Sequence, residues 1–503
     1  MAKNIFNSIQ LTKPKSNYFD LSHDVKLSMN MGELVPILAM ETVPGDKFNI
    51  SAEALTRFAP MVAPPMHRMD ATIHYFFVPN RLLWSDWENW IMNKPGAFTP
   101  PWFHSMDGQY TPLMDYMGIP DPTGMPSIET ISALPFAAYQ MIYNEYYRDQ
   151  NLIEEVPYQL GNGQALNVTA LTTLRRRAWE HDYFTSALPF PQKGAAVEIP
   201  MGDVTLKENW DDEGLIPRFT NEDGFTGDGA VTSNSATQDI TIPSEPGKQA
   251  AYDPNGSLSV QSTSINELRR AFRLQEWLER NARAGTRYVE GILAHFGIRS
   301  SDARLQRPEY ITGVKAPVTI SEVLNTSGSD DLPQGNMAGH GIAVVNGKKG
   351  YYRCEEHGMI IGIMSVMPKT AYQQGIPKMF LKTTDPFEYY WPSFANIGEQ
   401  PVLRKEIFAY TDTSDSTFGY VPRYADYKYM PSRVAGDFRT TLDYWHLGRK
   451  FATPPSLNKT FIECNPSHRI FAVEDPAFQK LYCHVYNKIG AVRPMPKFGT
   501  PTI

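Results

Sequence analysis

Cysteine is scarce in this chain. Cys354, Cys464 and Cys483 are the only three among 503 residues, too few for a disulfide framework. No apolar run approaches the roughly 18 residues that a bilayer crossing needs. The longest, Met359 to Met367, is interrupted by Gly362 and Ser365. The opening MAKNIFNSIQLTKPKS has no apolar core of signal-peptide length. These absences lead us to expect folding in a reducing compartment, with no membrane insertion. Basic charge is not in excess either: the net charge is −7, so no global positive field advertises nucleic acid. Internal repeats are missing, as are a Gly-rich phosphate loop, a G-x-S-x-G elbow and an H-E-x-x-H helix. No catalytic residue, metal site or cofactor is expected.

Turn formers and aromatic residues are plentiful. The 40 prolines, 35 glycines, 26 tyrosines and 26 phenylalanines point to a mainly β chain with long loops. Strand patterns occur at Val25–Met31, Leu34–Val43, Phe48–Ser51, Asp70–Val78, Val314–Val323, Ile342–Val345, Met359–Met367 and Phe478–Asn487. Their wide spacing fits a β-sandwich of Greek-key or jelly-roll type with large insertions, not βαβ alternation. Helical patterns occur at Ser85–Asn93, Pro135–Asp149, Leu171–Glu180 and Tyr288–Phe296. Another begins at the capping box Ser264-Ile-Asn-Glu267 and should stop at Gly285. In that helix Ile265, Leu268, Ala271, Phe272, Leu274, Leu278 and Ala282 share one face, opposite Arg269, Arg273, Glu276 and Arg280.

Residues 198–263 stand apart, with twelve acids against three bases and 25 Gly, Pro, Ser or Thr. This is a polar excursion from the core, read either as a loose loop or as an ordered surface insertion that meets partners. It divides the chain into 1–197, 198–263 and 264–503.

Signals for chemistry are thin. Cys354-Glu-Glu-His357, Cys464 with His468, and Cys483 beside His484 are half-pairs lacking the doubled spacing of a zinc site. Asn221–Gly229 is rich in oxygen ligands but lacks the EF-hand spacing, and it reads as a solvated acidic turn. Arg175, Arg176 and Arg177 precede Trp179, with Arg176 and Glu180 at i, i+4 spacing, so the group reads as a salt-bridged helix face or a DNA contact. Trp277, near Arg273 and Arg280, stacks a base or packs against a neighbour. Both ends are basic without acids: Lys3, Lys13 and Lys15 within 1–19, and Lys480, Lys488, Arg493 and Lys497 from Pro476 to Ile503. Such arms either neutralise phosphates or lie across neighbouring subunits.

Longer blocks carry a family resemblance. Phe19-Asp-Leu-Ser-His-Asp24, Pro44-Gly-Asp46, Phe58-Ala-Pro-Met61 and Pro64-Pro-Met-His67 come first. Phe77-Val-Pro-Asn-Arg-Leu-Leu-Trp84, Trp87-Glu-Asn-Trp90 and His181-Asp-Tyr-Phe-Thr-Ser-Ala-Leu-Pro189 follow. Tyr288 to Gly297, Leu305-Gln-Arg-Pro-Glu-Tyr310, Glu356-His-Gly358 and Tyr444-Trp-His-Leu447 complete the series. In this order the chain resembles the major capsid protein of the Microviridae, small single-stranded-DNA phages, in their gokushovirus branch. The resemblance is weakest over 198–263. It implies an eight-stranded antiparallel jelly-roll, the viral capsid β-sandwich, with long loop and helical insertions. It also implies sixty copies in a T=1 shell around circular single-stranded DNA, assembled in the bacterial cytoplasm and found in the virion. No enzymatic activity is implied. The family's large insertion forms protrusions at the three-fold axes and meets the host receptor, which makes Trp210, Phe219, Phe225 and Tyr252 the host-contact candidates. A small basic DNA-associated virion protein is a further implied partner. Lys3, Lys13, Lys15, Lys488, Arg493 and Lys497 remain candidates for DNA contact or for inter-subunit arms. Two other readings compete: a β-sandwich glycan-binding or adhesin module, and an enzyme with paired carboxylates. Against the enzyme, the densest acid cluster, Asp211-Asp-Glu213, lies in the polar excursion.

Overall fold

The structure is a computed structural model. It describes residues 15–104, 110–122, 129–195, 197–198, 264–324, 337–410 and 416–498, together with the backbone of short strands between 204 and 260. The chain divides into two compact units, one of Met1–Pro191 with Ala282–Ile503, the other of Gln192–Asn281.

The first unit is built on antiparallel sheets. The strands of its two large sheets are β1 (Asn17–Asp20), β2 (His23–Met29), β3 (Val35–Thr42), β4 (Lys47–Phe58), β5 (Met69–Pro79), β6 (Glu309–Pro317), β7 (Thr319–Leu324), β8 (Met337–Asn346), β9 (Gly350–Arg353), β10 (Gly358–Pro368) and β11 (Leu481–Arg493). Seven form one sheet in the order β1-β11-β4-β8-β7, with β2 also on β11 and β9 also on β4. Four form the second, in the order β6-β5-β10-β3. Between the two sheets lies a core that includes Phe48 and Ile50 of β4, Ile73 and Tyr75 of β5, Ile360 and Met364 of β10, and Val485 and Ile489 of β11.

A third layer covers the far side of the four-stranded sheet. Helix α1 (Leu134–Ile142) continues into a π-turn over Tyr143–Tyr147. It buries Phe136, Tyr139 and Ile142 with Phe76, Val78, Ile361 and Ile363. Tyr139 is fixed there by donating its hydroxyl to the Leu34 carbonyl (2.8 Å). A separate loop core gathers Tyr183, Phe184, Tyr372, Phe408, Phe418 and Phe461.

Several expectations change in the structure. Leu171–Glu180 is not one helix: helix ends at Thr172, and the backbone then runs extended. The cause is competition for its peptide groups. Leu34 and Cys464 donate to the carbonyls of Arg175 and Arg177, and Arg177 donates to Gly32. Arg176 therefore pairs with Glu33 (3.3 Å), while Glu180 pairs with Lys315 and Lys369. Val314–Val323 is two strands. The chain leaves the four-stranded sheet at Pro317 and enters the seven-stranded sheet at Thr319, with Val318 donating to Met69 between them. The Phe48–Ser51 pattern is the start of a strand that runs to Phe58.

In the second unit, Val204–Leu206 pairs with Leu258–Val260, Phe219–Thr220 with Thr226–Gly227, and Thr232–Ser233 with Ile240–Thr241. Helix α2 (Ile265–Ala284) closes this unit and runs three residues into the first. Its start is the expected capping box: the Ser264 N–H donates to Glu267, and the Glu267 N–H donates to the Ser264 hydroxyl. It ends at Gly285, whose φ of 101° favours a residue without a side chain. Helix α3 (Tyr288–Phe296) ends likewise at the left-handed Gly297.

Candidate functional surfaces

The sheet brings the two basic ends of the chain together. Strand β1 lies antiparallel to the end of β11, placing Asn17 opposite Arg493 and Asp20 opposite Gly490. Asn17 ties the ends by donating to the Met495 carbonyl (2.6 Å). Lys15 and Lys497 are exposed beyond this ladder. Lys3 and Lys13 lie outside the described residues.

The β11 cations have different roles. Lys488 is exposed on the outward face and pairs with Glu53 at 3.5 Å. Arg493 is turned inward. Its guanidinium lies 3.3 Å from the fully buried Asp46 carboxylate, donates to the Glu41 carbonyl (2.7 Å) and stacks over Phe48. Burial raises the Asp46 pKa, opposed by its bond from the Val43 N–H and by Arg493. Lys480 is buried and donates to the Asp475 carbonyl (2.6 Å).

Two apolar surfaces stand exposed on the single chain. One is built on three short turns, Lys378–Phe380, Pro386–Glu388 and Pro392–Phe394, two of which open on proline itself and one directly after Pro377. Phe387 and Phe394 pack edge to face, and Lys382 lies 4.0 Å from the Tyr427 ring while its ammonium pairs with Asp426. Beneath them, buried Glu406 accepts from Tyr183 and pairs with Lys378. Burial pushes the Glu406 carboxyl pKa upward. Above this polar anchor Phe380 is 60% exposed and Met430 86%, with Trp391 and Tyr389 also open to solvent. Large apolar side chains exposed in this way make these loops a candidate contact surface. The sequence reading missed it. The signal that was available is the recurrence of proline and aromatic residues between Pro377 and Phe394.

The second surface is on α2. Its apolar face is formed as expected, yet Ile265, Phe272 and Leu274 are exposed, and only Ala282 is buried. The opposite face carries the pairs Arg273–Glu276 and Arg280–Glu276. Trp277 is also exposed.

The cysteines of the half-pairs are interior, while His484 is exposed. Cys354, Cys464 and Cys483 are buried free thiols. Burial pushes the Cys354 thiol up to about 12 and the Cys483 thiol to about 11, so neither is a ready nucleophile or metal ligand near neutral pH. Among the described residues no three His, Cys, Asp or Glu side chains are grouped to hold a metal, and no helix is long and apolar enough to cross a membrane. Arg175, Arg176 and Arg177 serve the interior as well. Arg175 donates to Gln140, Arg176 to the Met31 carbonyl and Arg177 to the Thr72 hydroxyl. Of the insertion candidates, Phe219 lies in a two-residue strand, and Trp210, Phe225 and Tyr252 lie outside the described residues. Most of the oxygen-rich turn at Asn221–Gly229 lies outside them too.

Residues 8–503 match the family described as capsid protein (F protein). The chain belongs to that family. It is similar along nearly its whole length to capsid protein VP1 of Bdellovibrio phage phiMH2K (38% identity, covering 98% of this chain and 96% of the relative). Capsid protein VP1 of Chlamydia phage 1 is 35% identical, covering 99% and 97%, and that of Spiroplasma virus 4 is 32% identical, covering 96% and 94%. The chain is thus a phage capsid protein, of a structural rather than enzymatic family. Exposed apolar loops are what such a subunit presents before its neighbours arrive.

Proposed function

We propose that sixty copies of this capsid protein close a T=1 icosahedral shell around a circular single-stranded DNA genome, in a virion built in the bacterial cytoplasm. The observation that carries this reading is the whole-length family match, taken together with the exposed aromatic loops around Phe380, Trp391 and Met430. A shell subunit buries apolar surface on several sides at once, through contacts that close rings about the symmetry axes.

The subunit core is, in this reading, an eight-stranded jelly-roll. Support comes from strand order: β2-β11-β4-β8 within one sheet and β3-β10-β5-β6 in the other give two sets of four antiparallel strands. Strands β1, β7 and β9 then extend the first sheet. Residues 198–263 form the three-fold protrusion that meets the host receptor, with Trp210, Phe219, Phe225 and Tyr252 as its contact residues. Its acidity supports an outward position, since an inward one would repel the genome. Lys3, Lys13, Lys15, Lys488 and Lys497 act as DNA or inter-subunit contacts, alongside a small basic virion protein. Arg493 contributes by anchoring the C-terminal strand.

Electron microscopy and size-exclusion of the purified chain test this. Sixty-fold particles are expected, and a monomer or small oligomer under all assembly conditions would overturn the reading in favour of an adhesin-like module. Deleting about residues 200–262 behind a short linker should leave shells able to form while impairing infection. Loss of soluble folded subunit would count against a separable protrusion.

A further inference from the structure

The outward face of the seven-stranded sheet has a composition that the core does not require. Strand register fixes which side chains share it. Tyr482 of β11 stands between Ser28 of β2 and Arg57 of β4, and His484 stands between Lys26 and Leu55. Further along, Asn49 and Lys47 of β4 meet Tyr351 and Arg353 of β9. Tyr18 of β1 lies opposite Val492 and leans over Gly490, where an added Cβ would come within 2.9 Å of the tyrosine hydroxyl. Tyr351 is 63% exposed, and Tyr18 and Tyr482 are each more than half exposed.

Charge on this face is asymmetric. Of its three acids, Glu53 pairs with Lys488 (3.5 Å), Asp24 lies 2.9 Å from His484, an ion pair only when that ring is protonated, and Asp20 keeps its charge while accepting from the Ser22 hydroxyl and N–H. Among the described residues, Lys26, Lys47, Arg57 and Arg353 form no ion pair. Cations therefore outnumber acids on this face of a chain whose net charge is −7.

We propose that this face is a stacking platform for single-stranded DNA, with Tyr18, Tyr351 and Tyr482 receiving unpaired bases and Lys26, Lys47, Arg57 and Arg353 meeting phosphates. Unpaired bases offer π-faces to exposed aromatic rings, and stacking of this kind is indifferent to sequence. Cations spread between the rings follow the backbone by displacing its counterions. A sheet face suits this work because same-face side chains two residues apart on a strand stand about 7 Å from one another. A protein partner of the obligate kind would select an apolar centre depleted of lysine. Here lysine and arginine lie between the rings. The proposal rests on the capsid reading for its source of single strands, and it gives that reading a genome-facing surface distinct from the basic chain ends.

The test uses the full chain, a fluorescein-labelled oligothymidylate and anisotropy over a salt series, with thermal unfolding as a fold control and electron microscopy for particles. The Tyr351→Ala/Tyr482→Ala variant should bind about tenfold more weakly at every salt concentration. The Lys26→Gln/Arg57→Gln variant should lower the log–log salt slope by about 0.7 for each cation removed. Parental binding in both folded variants would overturn the proposal. So would a loss of particles with oligonucleotide binding intact, which would make the face a subunit contact. Particle formation reads the assembly reading separately: a parental chain that binds the oligonucleotide through these residues but never closes shells supports the platform and removes the shell.

Discussion

Strands β10 and β11 are each central in their sheet, and their sequences follow different rules. Every residue of β10, from Gly358 to Pro368, is buried. Strand β11 alternates, with Leu481, Cys483, Val485, Asn487, Ile489 and Ala491 inside and Tyr482, His484 and Lys488 exposed. The difference is in what covers them. The four-stranded sheet is packed on one face by the seven-stranded sheet and on the other by α1 and its neighbours, so β10 is apolar on both sides. Among the described residues the core packs against one face of the seven-stranded sheet, and a two-residue polar period results. The run from Met359 to Met367, too short for a membrane span, is thus a strand at the middle of three layers.

Alanine substitution along both strands, followed by denaturant unfolding, is the strongest way to break this comparison. In β10, Ile360→Ala and Ile361→Ala face opposite layers, and each should cost about 2–5 kcal/mol. In β11, Val485→Ala should be costly and His484→Ala close to neutral. A tolerant Ile361 would mean that the helical layer does not bear on the sheet. The next largest effect contrasts the two ends of β11. Arg493→Ala should destabilise by about 2 kcal/mol, because it leaves the buried Asp46 carboxylate without its cation.

A pH series sharpens the contrast between covered and open faces. His74 lies on the β5 face toward the third layer, with its ring nitrogen 2.8 Å from the Tyr147 hydroxyl. Burial, aided by Arg177, lowers its pKa to about 4. The unfolded chain therefore takes up this proton first as pH falls. Stability is retained above the ordinary histidine value near 6.5 and declines between there and about 4. His74→Gln should flatten that decline by up to about tenfold in the unfolding constant per pH unit, provided the variant folds. An unchanged acid limb would refute this assignment. The smallest effect belongs to Lys488→Ala. Its pair with Glu53 is exposed, and its loss should change stability by less than about 0.5 kcal/mol.

Local patterns were legible wherever one chemical rule acted without rival. The sequence pattern Asp70–Val78 matches strand β5 at Met69–Pro79, because β-branched and aromatic residues crowd there up to a proline. Helix α2 was bounded by its capping box and Gly285, and α3 was read at Tyr288–Phe296. Legibility failed where distant segments competed for the same backbone. Leu171–Glu180 has helical composition, but strand-like bonds from Leu34 and Cys464 hold it extended. The candidate surfaces divided in the same way. The basic ends were visible as charge without acid, yet only register distinguishes Lys488, outward, from Arg493, closed on Asp46. The aromatic surface around Phe380 and Met430 was composition without location until the loops were placed on their polar anchor.

The sequence by itself determined the mainly β character, the positions of most long strands, the ends of two helices and the membership of a capsid family. Each of these depends on neighbours in the chain or on residue types in order. Tertiary structure alone decided which sheet each strand joins, which faces are covered, and which charges and rings remain free for partners. Those outcomes depend on contacts between residues hundreds of positions apart, such as Asn17 with Met495, and a local pattern carries no record of them.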